Sequence, residues 1–170
     1  ELDGYLRDRG RELREELPLA LVENQQYIHY RKGALVFYAL RDAIGEETMN
    51  RVLKRFLIEK GFQSPPYTTS REFLAMLREE TDPAHHRLIE DLFEKIVFFD
   101  NRVLEAKAKK RDDGKYAVTL KVQAAKFEAD GKGEETPVAL DDAIEIGVFA
   151  RPAGGKEADE TVLYLERRKI

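Results

Sequence analysis

The sequence predicts an α+β fold: an α-helical bundle segment over residues 1–99, followed by an antiparallel β-sandwich over residues 100–170. Three observations carry this. Before Asp100, apolar residues recur at helical spacing; after it, they alternate with polar ones. Helix stop signals (Pro18, Gly45, Gly61, Pro65-Pro66) punctuate the first part. Asp/Gly turn signals, at Asp112-Asp113-Gly114-Lys115 and Asp130-Gly131-Lys132-Gly133, punctuate the second.

A first helix is expected over Tyr5 to Leu17, with Leu6, Leu13 and Leu17 as a thin apolar stripe, Gly10 as a weak point and Pro18 as the stop. A second runs from about Ile28 to Ile44. Its middle, Ala34-Leu35-Val36-Phe37-Tyr38-Ala39-Leu40, is apolar all round, which predicts a central, surrounded helix. Gly45 suits a left-handed cap at its end. In the third, Glu46 to Lys60, the positions Met49, Val52, Leu53, Phe56 and Leu57 form one face. Glu46 and Glu47 suit its positive end, Lys60 its negative end, and Gly61 closes it with Phe62 as the apolar contact beyond. Thr69 with Glu72 reads as a capping box for a fourth helix that buries Phe73, Leu74 and Leu77. Asp82-Pro83 opens a fifth, with Leu88, Ile89, Leu92, Phe93 and Ile96 inside.

From Val103 the period becomes two. Leu104, Ala106 and Ala108 alternate with charges and face Val118, Leu120, Val122 and Ala124 across the first turn. Ile144, Ile146 and Val148 mark a further strand, Gly154-Gly155 a turn, and Val162 to Glu166 a last strand. Such spacing suits an immunoglobulin-like sandwich, which typically has ~7 strands. Here about five are readable, so the sandwich is either truncated or completed by edges from elsewhere.

With 42 % hydrophobic and 36 % charged residues, the 170-residue chain can bury a core under a charged skin. Its net charge of -4 argues against nucleic-acid binding. The absence of Cys excludes disulfides, thiolate metal sites and Cys nucleophiles. No apolar run reaches the ~18 residues of a membrane span, so this segment itself is expected to make no membrane contact. The start, Glu1-Leu2-Asp3-Gly4, has neither Met nor a signal-peptide pattern, and it reads as a piece of a longer parent.

Little chemistry is visible. His29 stands alone, and the adjacent His85 and His86 point about 100° apart on a helix, so no metal site is expected in this fragment. No phosphate loop or nucleophile elbow occurs. The basic run Lys107, Lys109, Lys110 and Arg111 reads as a solvated sheet face. Glu15 and Glu16 read as a helix end, and Asp112, Asp113, Asp141 and Asp142 as turn residues. One segment stands apart: Asn24-Gln25-Gln26-Tyr27-Ile28-His29-Tyr30-Arg31-Lys32-Gly33, directly before the most apolar helix. It is either a cleft wall, or an ordinary amphipathic helix start in which Gly33 permits a close helix contact.

Tyr30-Arg31-Lys32-Gly33, the apolar helix and Ile44-Gly45-Glu46-Glu47 together resemble the C-terminal part of the catalytic domain of the aminopeptidase N family, the gluzincin zinc metallopeptidases. In that family a Tyr-x-Lys-Gly opens a helix of the thermolysin-like domain, a Gly-Glu follows, and a small β-sandwich comes after the helices. Asn24-Gln25-Gln26-Tyr27 and Leu140-Asp141-Asp142-Ala143-Ile144-Glu145-Ile146-Gly147 are similar to the subset fused behind a transporter-type membrane permease. That subset implies a membrane-bound parent with this segment on an extracytoplasmic face.

The resemblance implies that Tyr30 is catalytic. Its hydroxyl would donate a hydrogen bond to the oxyanion formed when water attacks a peptide carbonyl in the zinc-dependent reaction. A phenol suits this because it is a neutral donor near neutral pH. Tyr27 and Tyr38 lack Lys and Gly at the matching offsets. Zinc, its His and Glu ligands and the general base are implied for the parent, in an upstream segment of the same chain, and the substrate is a peptide. The fragment alone is then inactive. A non-enzymatic protein-interaction or structural module of a membrane-associated parent is the alternative.

Overall fold

The computed structural model describes residues 1–156 and 159–170. The fold is α+β: a helical segment is followed by antiparallel sheets of three and two strands, a sandwich-like arrangement. The chain divides into two units. One comprises Glu1–Phe98 with Phe127–Thr136, the other Phe99–Lys126 with Pro137–Ile170.

In the first unit, α1 (Leu2–Arg9) is followed by a 3-10 turn (Leu19–Leu21), a π-helical turn (Tyr27–Lys32), α2 (Gly33–Ile44), α3 (Glu46–Lys60), α4 (Ser70–Glu80), a second 3-10 turn (Pro83–His85) and α5 (His86–Phe93). The core joins Val36 and Leu40 of α2, Met49 and Val52 of α3, Leu74 and Leu77 of α4, and Ile89 and Phe93 of α5. Each pair is spaced three or four residues apart, so each helix gives one stripe. Phe73 meets Phe56 edge-on at 5.3 Å between centroids, and Phe37 meets Phe93 edge-on at 5.7 Å. Gly45, at φ 84°, makes the turn between α2 and α3 in a conformation that L side chains rarely adopt. The capping box of Thr69 and Glu72 is formed, and the Asp82 carboxylate accepts from the Ala84 N–H at 2.8 Å.

Several expectations are corrected. The first helix ends at Arg9 instead of Leu17, and it buries Gly4 and Tyr5 while Leu6 is exposed and Leu13 fully so. The chain turns back after Gly10 because Glu16 is drawn inward by polar partners, and these outweigh the thin Leu stripe. The second helix opens with a π-turn and is not surrounded. Tyr38 and Ala34 face solvent, because the core needs only one face of α2. At the end of α3, the positive φ falls on Phe62 (59°) and not on Gly61, and the Phe62 ring is fully exposed instead of covering the cap.

Five strands lie among the described residues: β1 (Val97–Lys110), β2 (Tyr116–Ala129), β3 (Glu135–Val138), β4 (Ala143–Ala150) and β5 (Thr161–Lys169). β1 starts six residues before the expected Val103. The three-stranded sheet has the order β1-β2-β3. β4 and β5 pair antiparallel, Ala143 opposite Lys169 and Ala150 opposite Thr161, with an irregularity at Val148/Phe149. In the second unit, the alternating apolar positions Leu104, Val118 and Val122 are exposed rather than packed. Its buried polar residue is Lys126, whose ammonium reaches the Asp142 carboxylate at 3.1 Å.

Candidate functional site

The first unit holds the residues singled out from sequence. Tyr30 lies in the π-turn, where the Gly33 N–H donates to the Ile28 carbonyl five residues back. Ile28 and Lys32 are buried. Tyr30, two residues from each, faces the other way and is 70 % exposed. It stands at a hollow of about 610 Å³ whose wall is mainly apolar, with Leu19, Ala34, Phe37, Phe73 and Phe93 among its lining. Among the described residues its hydroxyl has no hydrogen-bond partner. The His29 ring lies beside it, 4.6 Å between centroids and tilted by 51°. His29 Nδ1 is itself buried without a partner.

The other two tyrosines are placed differently. Tyr27 is buried and stacks on Tyr5 at 6.0 Å. Tyr38 is exposed, with the Arg41 guanidinium 5.1 Å from its ring centre. Gly33 does not serve a tight contact: a Cβ there would meet Leu19 Cδ1 at an ordinary 3.8 Å. His86 Nε2 bonds the Arg78 carbonyl at 3.0 Å, a structural position.

On the inner side of the π-turn, Glu16 collects three donors. The Tyr5 hydroxyl donates to Oε1 at 2.5 Å, Arg9 Nε to Oε2 at 2.7 Å and Lys32 Nζ to Oε1 at 3.2 Å. The carboxylate is 4 % exposed. Burial holds the Lys32 ammonium below the usual lysine range, opposed by the charge of Glu16. Burial also pushes the Tyr5 phenol far above the usual tyrosine value, with the Glu16 hydrogen bond adding to it. Phe98 stacks on Tyr5 at 6.3 Å and closes the cluster. The sequence reading missed Glu16, Tyr5 and Arg9. The one available signal was the four-residue spacing of Tyr5 and Arg9, which puts both on one helix face.

Among the described residues, no group of three His, Asp or Glu side chains comes together to hold a metal ion. No helix among them is long and apolar enough to cross a membrane. Comparison of the chain with family models, curated proteins and solved structures finds no match.

Proposed function

We propose that the chain is the C-terminal portion of a zinc-dependent aminopeptidase-like metallopeptidase, supplying one wall of the substrate cleft and the oxyanion-stabilising phenol of Tyr30. The observation that carries this is Tyr30 itself, exposed, among the residues that line an apolar hollow, and with no hydrogen-bond partner for its hydroxyl among the described residues. A phenol fixed on a helical turn is a preorganised donor. It strengthens as a peptide carbonyl oxygen gains negative charge, and it costs no reorganisation at that moment. The wall of the hollow is mainly apolar, so a substrate seated there under the rest of the parent's cleft would displace the water that competes for that bond. In this proposal the metal belongs to another part of the parent protein, and this chain alone hydrolyses nothing.

The test is the parent protein with its metal bound, assayed on an aminoacyl anilide. Tyr30→Phe should lower kcat by about 10²–10³ with metal content unchanged. Normal turnover in that variant, or a parent gene without a His-Glu-x-x-His, removes the proposal. The exposed apolar strand residues of the second unit favour a second reading, a non-enzymatic interaction or structural module. A parent lacking the metal-binding residues selects that reading.

A further inference from the structure

We infer that Lys32 and Glu16 are positioning residues for Tyr30: their buried ion pair holds the π-turn so that its inner side is locked and the Tyr30 hydroxyl is presented over the hollow. The relevance to catalysis rests on the proposed role of Tyr30; the mechanical claim does not.

Three consecutive residues carry the argument. Tyr30 points outward, while Arg31 and Lys32 are each tied to the segment before the π-turn. Arg31 Nε lies 3.2 Å from Asp8 Oδ2. Its guanidinium crosses α1 at Gly4, where a Cβ would sit 1.7 Å from Arg31 Nη1. Lys32 reaches Glu16 with a side chain only 10 % exposed. A π-turn is rarely stable on its own and needs outside contacts to persist. Glu16 is a firm anchor because its own position is fixed three ways. Tyr5 and Arg9 occupy its carboxylate, and its N–H donates to the Gly131 carbonyl at 2.8 Å. Gly131 adopts φ 83°, and a Cβ there would lie 2.2 Å from the Glu16 carbonyl oxygen, so the approach tolerates no side chain. Removing the ammonium of Lys32 frees the end of the turn that carries Tyr30 but leaves Glu16 with two donors and the α2–α5 core untouched.

The experiment uses this chain with 3-fluorotyrosine at position 30, read by ¹⁹F NMR together with amide hydrogen exchange, in Lys32→Met, Glu16→Gln and Lys32→Arg. In Lys32→Met, the fluorine resonance should move, and the amides of residues 28–33 should lose protection about tenfold or more, while α3 and α4 amides hold theirs. Lys32→Arg should restore much of both. Glu16→Gln keeps the size of the side chain, and should give the same local loss. An unmoved resonance with unchanged exchange at 28–33 overturns the inference. So does an equal loss of protection throughout α2–α5, or failure of both Lys32→Met and Glu16→Gln to fold, since each assigns the pair to the fold as a whole. In the active parent, Lys32→Met should lower kcat about tenfold or more with KM little changed. A shifted resonance with unchanged turnover leaves the brace standing and counts against the role of Tyr30. Lowered turnover with an unmoved resonance sinks the brace alone.

Discussion

Tyr27 and Tyr5 are stacked phenols beside a buried carboxylate, and an ionised phenol there would be both desolvated and repelled. Burial, then the charges of Glu16 and Glu12, push Tyr27 up to about 12, against a smaller pull from Arg9. In the unfolded chain a tyrosine ionises near 10. The raised folded-state value means that the stabilising contribution of Tyr27 is complete below about pH 10 and is lost as pH rises through 12. Tyr5, raised further, acts in the same direction. Lys32, lowered by burial, acts in the opposite one, its penalty fading as pH rises toward the unfolded lysine value. Two phenols against one amine give a net fall in stability above pH ~10. Urea midpoints from pH 9 to 12 should show it, with a shallower fall in Tyr27→Phe; an equal fall in that variant would assign the alkaline loss elsewhere. At this scale the sequence was half legible. Tyr30, Arg31, Lys32 and Gly33 are contiguous and could be singled out, but the opposite directions of Tyr30 and Lys32 could not. Glu16 looked like a helix end because its partners at 5, 9 and 32 meet it only through the fold.

Among the elements, α3 and α4 were the most readable because both their ends and their faces carry local signals. α3 spans Glu46–Lys60 as expected, and α4 starts at Ser70 directly after the Thr69 cap. The Thr69 N–H donates to Glu72 Oε2 at 3.0 Å, and Glu72 also accepts from Lys60 of α3. The Lys60 bond first, then the Thr69 N–H, hold the Glu72 carboxyl below the usual range. The box thus fastens the start of α4 and links it to α3. Thr69→Ala should cost about 1 kcal/mol, measured by urea unfolding. A cost near zero would mean that the α3–α4 packing through Val52, Leu74 and Leu77 alone sets where α4 begins. The exposed Arg51–Glu80 and Arg55–Glu79 pairs between the same helices add little by comparison. Where tertiary bonds decide an element, the sequence pattern misled. α1 stops at Arg9 because Glu16 must return to it, and the π-turn exists because Lys32 must reach Glu16. Neither condition is local, so no propensity or periodicity encodes it.

Across the molecule, burial is unequally shared. Every buried hydrophobic residue among those described, from Tyr5 and Ile28 through Leu40, Leu77 and Ile96 to Ala129, belongs to the first unit. The second unit exposes Val103, Leu104, Val118, Val162, Leu163 and Leu165 on its strands. Its alternation was legible as strand, but alternation alone does not say that the apolar side finds a partner. At about 25 cal/mol per Å² of apolar surface removed from water, a unit with no buried hydrophobic residue among those described gains little from that source. Its ladder hydrogen bonds also remain open to solvent competition. Local opening should therefore cost less in the second unit than in the first. Amide exchange of the whole chain should show residues 143–150 and 161–169 exchanging at least about a hundredfold faster than the core amides of α2, α3 and α4. Mild urea should remove the strand signal before the helical one, which makes a single two-state fit fail. Uniform protection of both units, lost in one cooperative transition, would mean that the strands' apolar side is covered in solution, and sedimentation of the same sample would then show whether a second copy covers it.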